Sequence, residues 1–183
     1  LVMPPMSLHR PWVQEGTLHH DGECFELNPV TWYVLATYGV TVRGPAPEEL
    51  GVFLDLDDRI RFAVDNLTGY WASVAEQIEA AGSAPRDQAP TAEPSTLEWC
   101  ALGPLRLLYT AATGDVISKL EAGRYGLEAA PVDLHEMVRL AVDIRRGDST
   151  VREVTMPTMA EAAELIRWCV SAAGEVSQRN PEG

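Results

Sequence analysis

Arg106 and Lys119 are cations whose sequence settings ask for an anion. Arg106 stands among Leu102, Leu105, Leu107, Leu108 and Tyr109, on a stretch that is apolar almost all round. A buried guanidinium left without a partner is costly, so it must be paired internally or aimed at a ligand. Glu98, two turns earlier, and Asp115 are the internal choices, and the sequence does not decide between them and a ligand. Lys119 follows Ser118, which with Glu121 makes a capping box, so the lysine falls at the first position of a helix. Backbone N–H groups, the positive end of the helix dipole and an ammonium then face one small volume, which suits a phosphate or carboxylate. Lys119 is the only lysine beside thirteen arginines. The plainer reading, a solvated surface lysine, stays open.

A second group of residues suits a cationic ring compound. Glu98, Trp99, Tyr70 and Trp71 would together form an acidic, aromatic wall for an amino sugar. The competing assignment is a capping glutamate with core aromatics. Other constellations carry less. Asp55-Leu56-Asp57 follows Gly44 in superficial imitation of a Gly-Ser then Asp-x-Asp nucleotidyltransferase signature, but Pro45 stands where a free N–H is needed, and these aspartates precede a helical pattern as caps. His9, His19, His20 and Asp21 are scattered in turn-forming sequence and do not make a metal set. Cys24, Cys100 and Cys169 are odd in number and far apart, which fits neither a disulfide framework nor a metal site.

Helices are what must position these side chains. Asn28-Pro29 offers an N-cap and an N1 proline for a helix through about Tyr38, which Gly39 stops, with Val40 to Val42 extended beyond it. From Asp55, caps and negative charge start a helix to about Ala81 that carries Ile60, Val64, Leu67, Trp71, Val74 and Ile78 at three- and four-residue spacing. Gly82 to Pro94 reads as the longest loop. The capping boxes Ser95/Glu98, Ser118/Glu121 and Thr158/Glu161, and the acidic start Asp133/Glu136, predict helices near 96–113, 119–129, 134–146 and 159–176. Pro104 predicts a kink in the first of these. Strand signals are sparse: Thr17 to His20 and Glu23 to Leu27 around the turn dipeptide Asp21-Gly22, and Val151 to Thr155. The expected fold is mainly α, a bundle of about five to six helices with a short N-terminal β-hairpin and extended arm.

Composition bounds the function further. The chain has 183 residues, 46% of them apolar, enough for one well-buried domain, and its formal net charge is −13. That charge repels nucleic acid and anionic membrane and attracts a cationic ligand, though acidity also serves solubility. No run of apolar residues suffices for a transmembrane helix and no signal peptide is evident, so a cytoplasmic location is expected.

The stretch from Leu105 to Lys119, Leu-Arg-Leu-Leu-Tyr-Thr-Ala-Ala-Thr-Gly-Asp-Val-Ile-Ser-Lys, resembles the R-x-x-Y-x-x-x-T-G-x-x-x-x-K region of the streptomycin/spectinomycin-type aminoglycoside adenylyltransferases. The residues Glu121-Ala122 and Tyr125-Gly126-Leu127-Glu128 continue it. Glu26-Leu-Asn-Pro-Val-Thr-Trp32 and Gly39 to Leu50 are similar to the linker by which that family enters its C-terminal domain. The resemblance implies that residues 1–45 are the arm and linker of an N-terminal nucleotidyltransferase domain, and that 46–183 are the helical C-terminal domain. It implies ATP and Mg²⁺ as cofactors, with Arg106 and Lys119 on the β- and γ-phosphates and Trp71 and Glu98 facing an aminoglycoside-like substrate. No Gly-Ser then Asp-x-Asp element precedes residue 25, so the metal carboxylates and general base are expected to lie upstream, to come from another chain or not to exist, and this segment alone is expected to be inactive. The alternative is a non-catalytic helical module that binds a cationic small molecule or docks on a separate nucleotidyltransferase subunit.

Overall fold

The stretch from Pro94 to Thr113 carries apolar residues on nearly every side, and a helix of that kind has to lie inside a bundle. In the computed structural model, which describes residues 11–14, 16–22, 24, 27–52, 54–83 and 90–179, it does. The chain divides into two compact units, Leu1–Asp55 and Leu56–Gly183.

In the first unit, strands β1 (Trp12–Gln14) and β2 (Thr17–His19) pair antiparallel, with Trp12 opposite His19. Their two rings stack at a centroid distance of 4.0 Å. The hairpin thus turns at Gly16, whose φ is +78°, and not at Asp21-Gly22. The strand expected from Glu23 to Leu27 lies largely outside the described residues. Helix α1 (Pro29–Tyr38) begins as its sequence predicts: Asn28 Oδ1 accepts from the Thr31 N–H at 2.9 Å, and proline fills N1. Gly39 ends it. Val40 to Val42 joins no strand, and a short 3₁₀ helix follows at Pro47–Leu50.

In the second unit, α2 (Leu56–Asn66) leads through a π-helical turn (Leu67–Trp71) into α3 (Ala72–Gly82). The sequence predicts an uninterrupted helix here, and the interruption has a geometric use. Arg59, Ala63, Leu67, Trp71 and Ala75 are buried, each four residues after the last. At 3.6 residues per turn such a row drifts about 40° around the helix at every step. A wider π turn takes part of that drift back and keeps the row on the bundle. Ile60, Val64, Val74 and Ile78 are half-buried beside it.

Helix α4 (Pro94–Thr113) packs against α2, against α5 (Lys119–Ala129), against α6 (His135–Arg146) and against α7 (Met156–Arg179). Leu97, Leu102 and Leu105 of α4 are fully buried among Leu134, Met137, Val138, Leu165 and Ile166. Each such side chain contributes about 1.5–3 kcal/mol by leaving water. Pro104 is buried within α4, and the helix continues past it to Thr113. Two expected capping boxes are displaced. Pro94, not Ser95, opens α4, and α7 starts at Met156, before Thr158, because Pro94 and Pro157 take early helix positions where no N–H is needed. The Ser118/Glu121 box forms completely. Asp133 lies in a 3₁₀ turn (Val132–Leu134) that precedes α6. Val154 bridges to Ala92, so the extended segment before α7 is tied to the segment entering α4.

Candidate functional site

The site grows from the turn between α4 and α5. Helix α4 ends at Gly114, which takes the left-handed conformation at φ +76°. A side chain there would be strained and would also run into Leu56. The Gly114 carbonyl accepts from Nε of the buried Arg59, which ties α2 to this turn. Part of the Thr-Gly motif is therefore explained by structure alone. Beyond the turn the chain doubles back, and the Ile117 carbonyl accepts from Arg106 Nε at 2.9 Å.

Two residues later α5 begins. Glu121 Oε2 accepts from the Ser118 N–H at 2.8 Å while Ser118 Oγ accepts from the Glu121 N–H at 3.2 Å. Hydrogen bonds from the Ser118 backbone and side chain hold the Glu121 carboxyl below its usual range, and the capping box also occupies one of the helix's opening donors. The start of α5 is thus less open to an anion than an uncapped helix end.

Lys119 does not point into solvent. Its Nζ donates to Glu98 Oε1 at 2.9 Å, and Arg145 Nη1 stands 3.5 Å from the same oxygen. Glu98 is the most buried of the three, with a side chain 13% exposed. Burial first, and then the Arg145 charge, pulls the Arg106 guanidinium below its ordinary range. Among the described residues Arg106 has no carboxylate partner, so neither Glu98 nor Asp115 neutralises it. Two cations from two helices, Lys119 and Arg145, therefore share the Glu98 carboxylate, while Arg106 bonds the Ile117 carbonyl two residues before Lys119, within a chain whose formal net charge is −13.

Trp71 and Glu98 are both engaged within the fold. Trp71 is a core residue, 4% exposed, lying so close to α4 that a Cβ on Gly103 would sit 2.7 Å from its ring. Its neighbours are the open ones: Trp99 is 37% exposed and Tyr70 53% exposed. Glu98 is engaged as counter-ion to Lys119 and Arg145. The structure brings Glu98, Lys119 and Arg106 to one region and puts Trp71 beneath Trp99.

No protein-family model and no curated protein matches this chain.

Two residues of the cluster's surroundings escape the sequence reading. Arg145 lies in the last turn of α6, where an arginine is accounted for by the negative end of the helix dipole and calls for no further partner. Arg59 reads as a solvated residue of a charged helical start, Leu-Asp-Asp-Arg, and only its four-residue spacing from Ala63 and Leu67 hints at burial. No group of three His, Cys, Asp or Glu among the described residues suits a metal ion. No helix among them is long and apolar enough to cross a membrane.

Proposed function

We propose that Arg106, Lys119 and Arg145 receive the polyphosphate tail of a nucleotide, ATP foremost, and that the chain is the nucleotide-contacting helical domain of an adenylyltransferase acting on an aminoglycoside-like hydroxyl. The observation that carries the phosphate part is the setting of Arg106. Among the described residues this half-buried guanidinium bonds only a backbone carbonyl, and burial and the Arg145 charge both act against its own charge, so an anion arriving there would be favoured. A polyphosphate supplies several negative charges at once, and arginine donors match phosphate oxygens two at a time.

The acceptor part rests on the resemblance of residues 105–119 to the adenylyltransferase family and on the net charge of −13, which draws a polycation toward the chain. The described residues offer no Mg²⁺ ligand set, so no step of transfer is assigned to them. Their role in this reading is to hold and neutralise the departing pyrophosphate moiety.

Titration calorimetry of the chain with tripolyphosphate and with ATP tests the reading. Saturable binding is expected, weakened about tenfold or more, which is about 1.4 kcal/mol, in both Arg106→Ala and Lys119→Ala. Equal affinity in the native chain and both variants would remove the phosphate assignment.

A further inference from the structure

A pocket of about 410 Å³ opens between α3, the start of α4 and the start of α7. That volume falls within the range of small-molecule sites. Val74 and Ile78 of α3 form one wall, Met156 and Met159 of α7 another, and Tyr70 and Trp99 line it with their rings. The Ala92–Val154 bridge fixes the segment from Pro90 to Ala92 across one end.

The aromatic side is held in place from beneath. Trp99 packs on Trp71 at a centroid distance of 4.5 Å and meets the edge of Tyr70 at 6.1 Å. Trp71 is immobilised by burial and by its close approach to Gly103. The π turn that carries Tyr70 and Trp71 is a rare element, frequent where proteins bind ligands. Two large aromatic surfaces are thereby kept partly in water by a scaffold that is itself rigid, which lowers the ordering cost of binding.

Charge decides what fits. None of the described residues lining the pocket is charged, and their polar groups are Gln77, Thr91, Thr96, the Tyr70 hydroxyl and the Cys100 thiol. Glu98, next to Trp99 in sequence, is engaged with Lys119 and Arg145 instead. An ammonium placed here finds no carboxylate among the described lining residues, and only ring faces offset the hydration it gives up. An uncharged ring meets no such penalty, stacks on Trp99 and contacts methionine sulfur on its other side.

We propose that this pocket binds a small, uncharged, flat ring compound, aromatic or heteroaromatic, as a site separate from the cation cluster. The proposal does not depend on the phosphate reading, and it places the amines of any aminoglycoside-like ligand outside this pocket.

Titration calorimetry with 2-naphthol as the neutral probe and phenyltrimethylammonium as its cationic counterpart tests it. The expected result is saturable binding of 2-naphthol, at least tenfold tighter than the cation. Trp99→Ala, which removes the stacking face, and Ala81→Leu, which fills the pocket from α3, each weaken it about tenfold or more. Melting curves establish that both variants fold, and Ala81→Leu keeps every aromatic ring should Trp99→Ala not fold. Arg106→Ala leaves 2-naphthol binding unchanged, so failure here is separable from failure of the phosphate site. Absence of saturable 2-naphthol binding, as when the chain's own residues fill the pocket, overturns the proposal. So does affinity insensitive to whichever variants fold, or a cation that binds as tightly as the neutral ring.

Discussion

Glu98 and Lys119 are twenty-one residues apart in the chain, and their side chains meet at 2.9 Å. The contact joins the second turn of α4 to the first turn of α5, and Arg145 brings the end of α6 to the same carboxylate oxygen. Among the described residues Glu98 is thus the carboxylate partner of a cluster that otherwise repels itself. It makes the cluster tolerable to the fold without neutralising it.

Replacing Glu98 by Gln should therefore destabilise the chain by about 1–3 kcal/mol, between the small value of an exposed pair and the larger cost of orphaning a buried charge. A phosphate anion should then substitute for the lost carboxylate. Thermal melting with and without tripolyphosphate is the measurement: the variant melts lower than the native chain in its absence and gains more from its addition. An equal gain in both proteins would show that Glu98 and the added anion do not share the cluster.

Gly103 supports the aromatic side of the pocket from below. Ala is better than Gly in a helix by about 0.8–1.0 kcal/mol, but here a methyl would lie 2.7 Å from the Trp71 ring, and overpacking a core costs about 1–3 kcal/mol. The clash wins, because the ring is buried and has nowhere to move. Gly103→Ala should lower the urea midpoint, whereas Gly174→Ala in α7, with nothing within 4 Å of the added carbon, should raise it. Matching signs for the two substitutions would refute the packing argument.

Local signals were legible where no tertiary contact competed with them. Asn28-Pro29 and Ser118/Glu121 open helices as their side-chain chemistry dictates. Ser95 and Thr158 have the same chemistry, yet a proline at or just after the true start moves each helix boundary ahead of them. The π turn was not legible, since it answers to the direction of the bundle and not to Leu67–Trp71 themselves. At the cation cluster, Arg106 and Lys119 could be singled out by apolar surroundings and helix position. Their pairing could not, because Glu98 reads equally well as a cap or a ligand contact, and Arg145 is already accounted for by its own helix dipole. Trp71 and Trp99 are chemically alike in sequence, and only the approach of Gly103 decides which is buried.

The cysteines should differ sharply in reactivity. Burial raises the Cys100 thiol to about 11 and pushes that of Cys169 higher still, whereas Cys24 is half-buried. The thiolate is the reactive species, so at pH 8 the native chain should show Cys24 reacting with a disulfide reagent while Cys100 and Cys169 wait for unfolding. Because these two thiols ionise less readily folded than unfolded, their contribution to stability is lost as the pH rises above about 9. Prompt native-state labelling of all three thiols would contradict the burial that defines the core of α4 and α7.

Glu161 presents the opposite sign from an ordinary ion-paired acid. Burial first, and then the neighbouring charges of Glu136 and Glu164, raise its carboxyl above 4.5. The folded chain therefore binds this proton more readily than the unfolded one, so the group favours folding at acid pH and opposes it once ionised. Glu161→Gln, which keeps the shape and removes the charge, should raise the melting temperature at pH 7. The gain should shrink as the pH falls through the carboxylate range and vanish below about pH 4, where the native side chain is itself neutral. Melting curves of both proteins at pH 7, 5 and 4 provide the check, and a difference that stays constant across that range would show that repulsion among these three carboxylates does not reach the stability of α7.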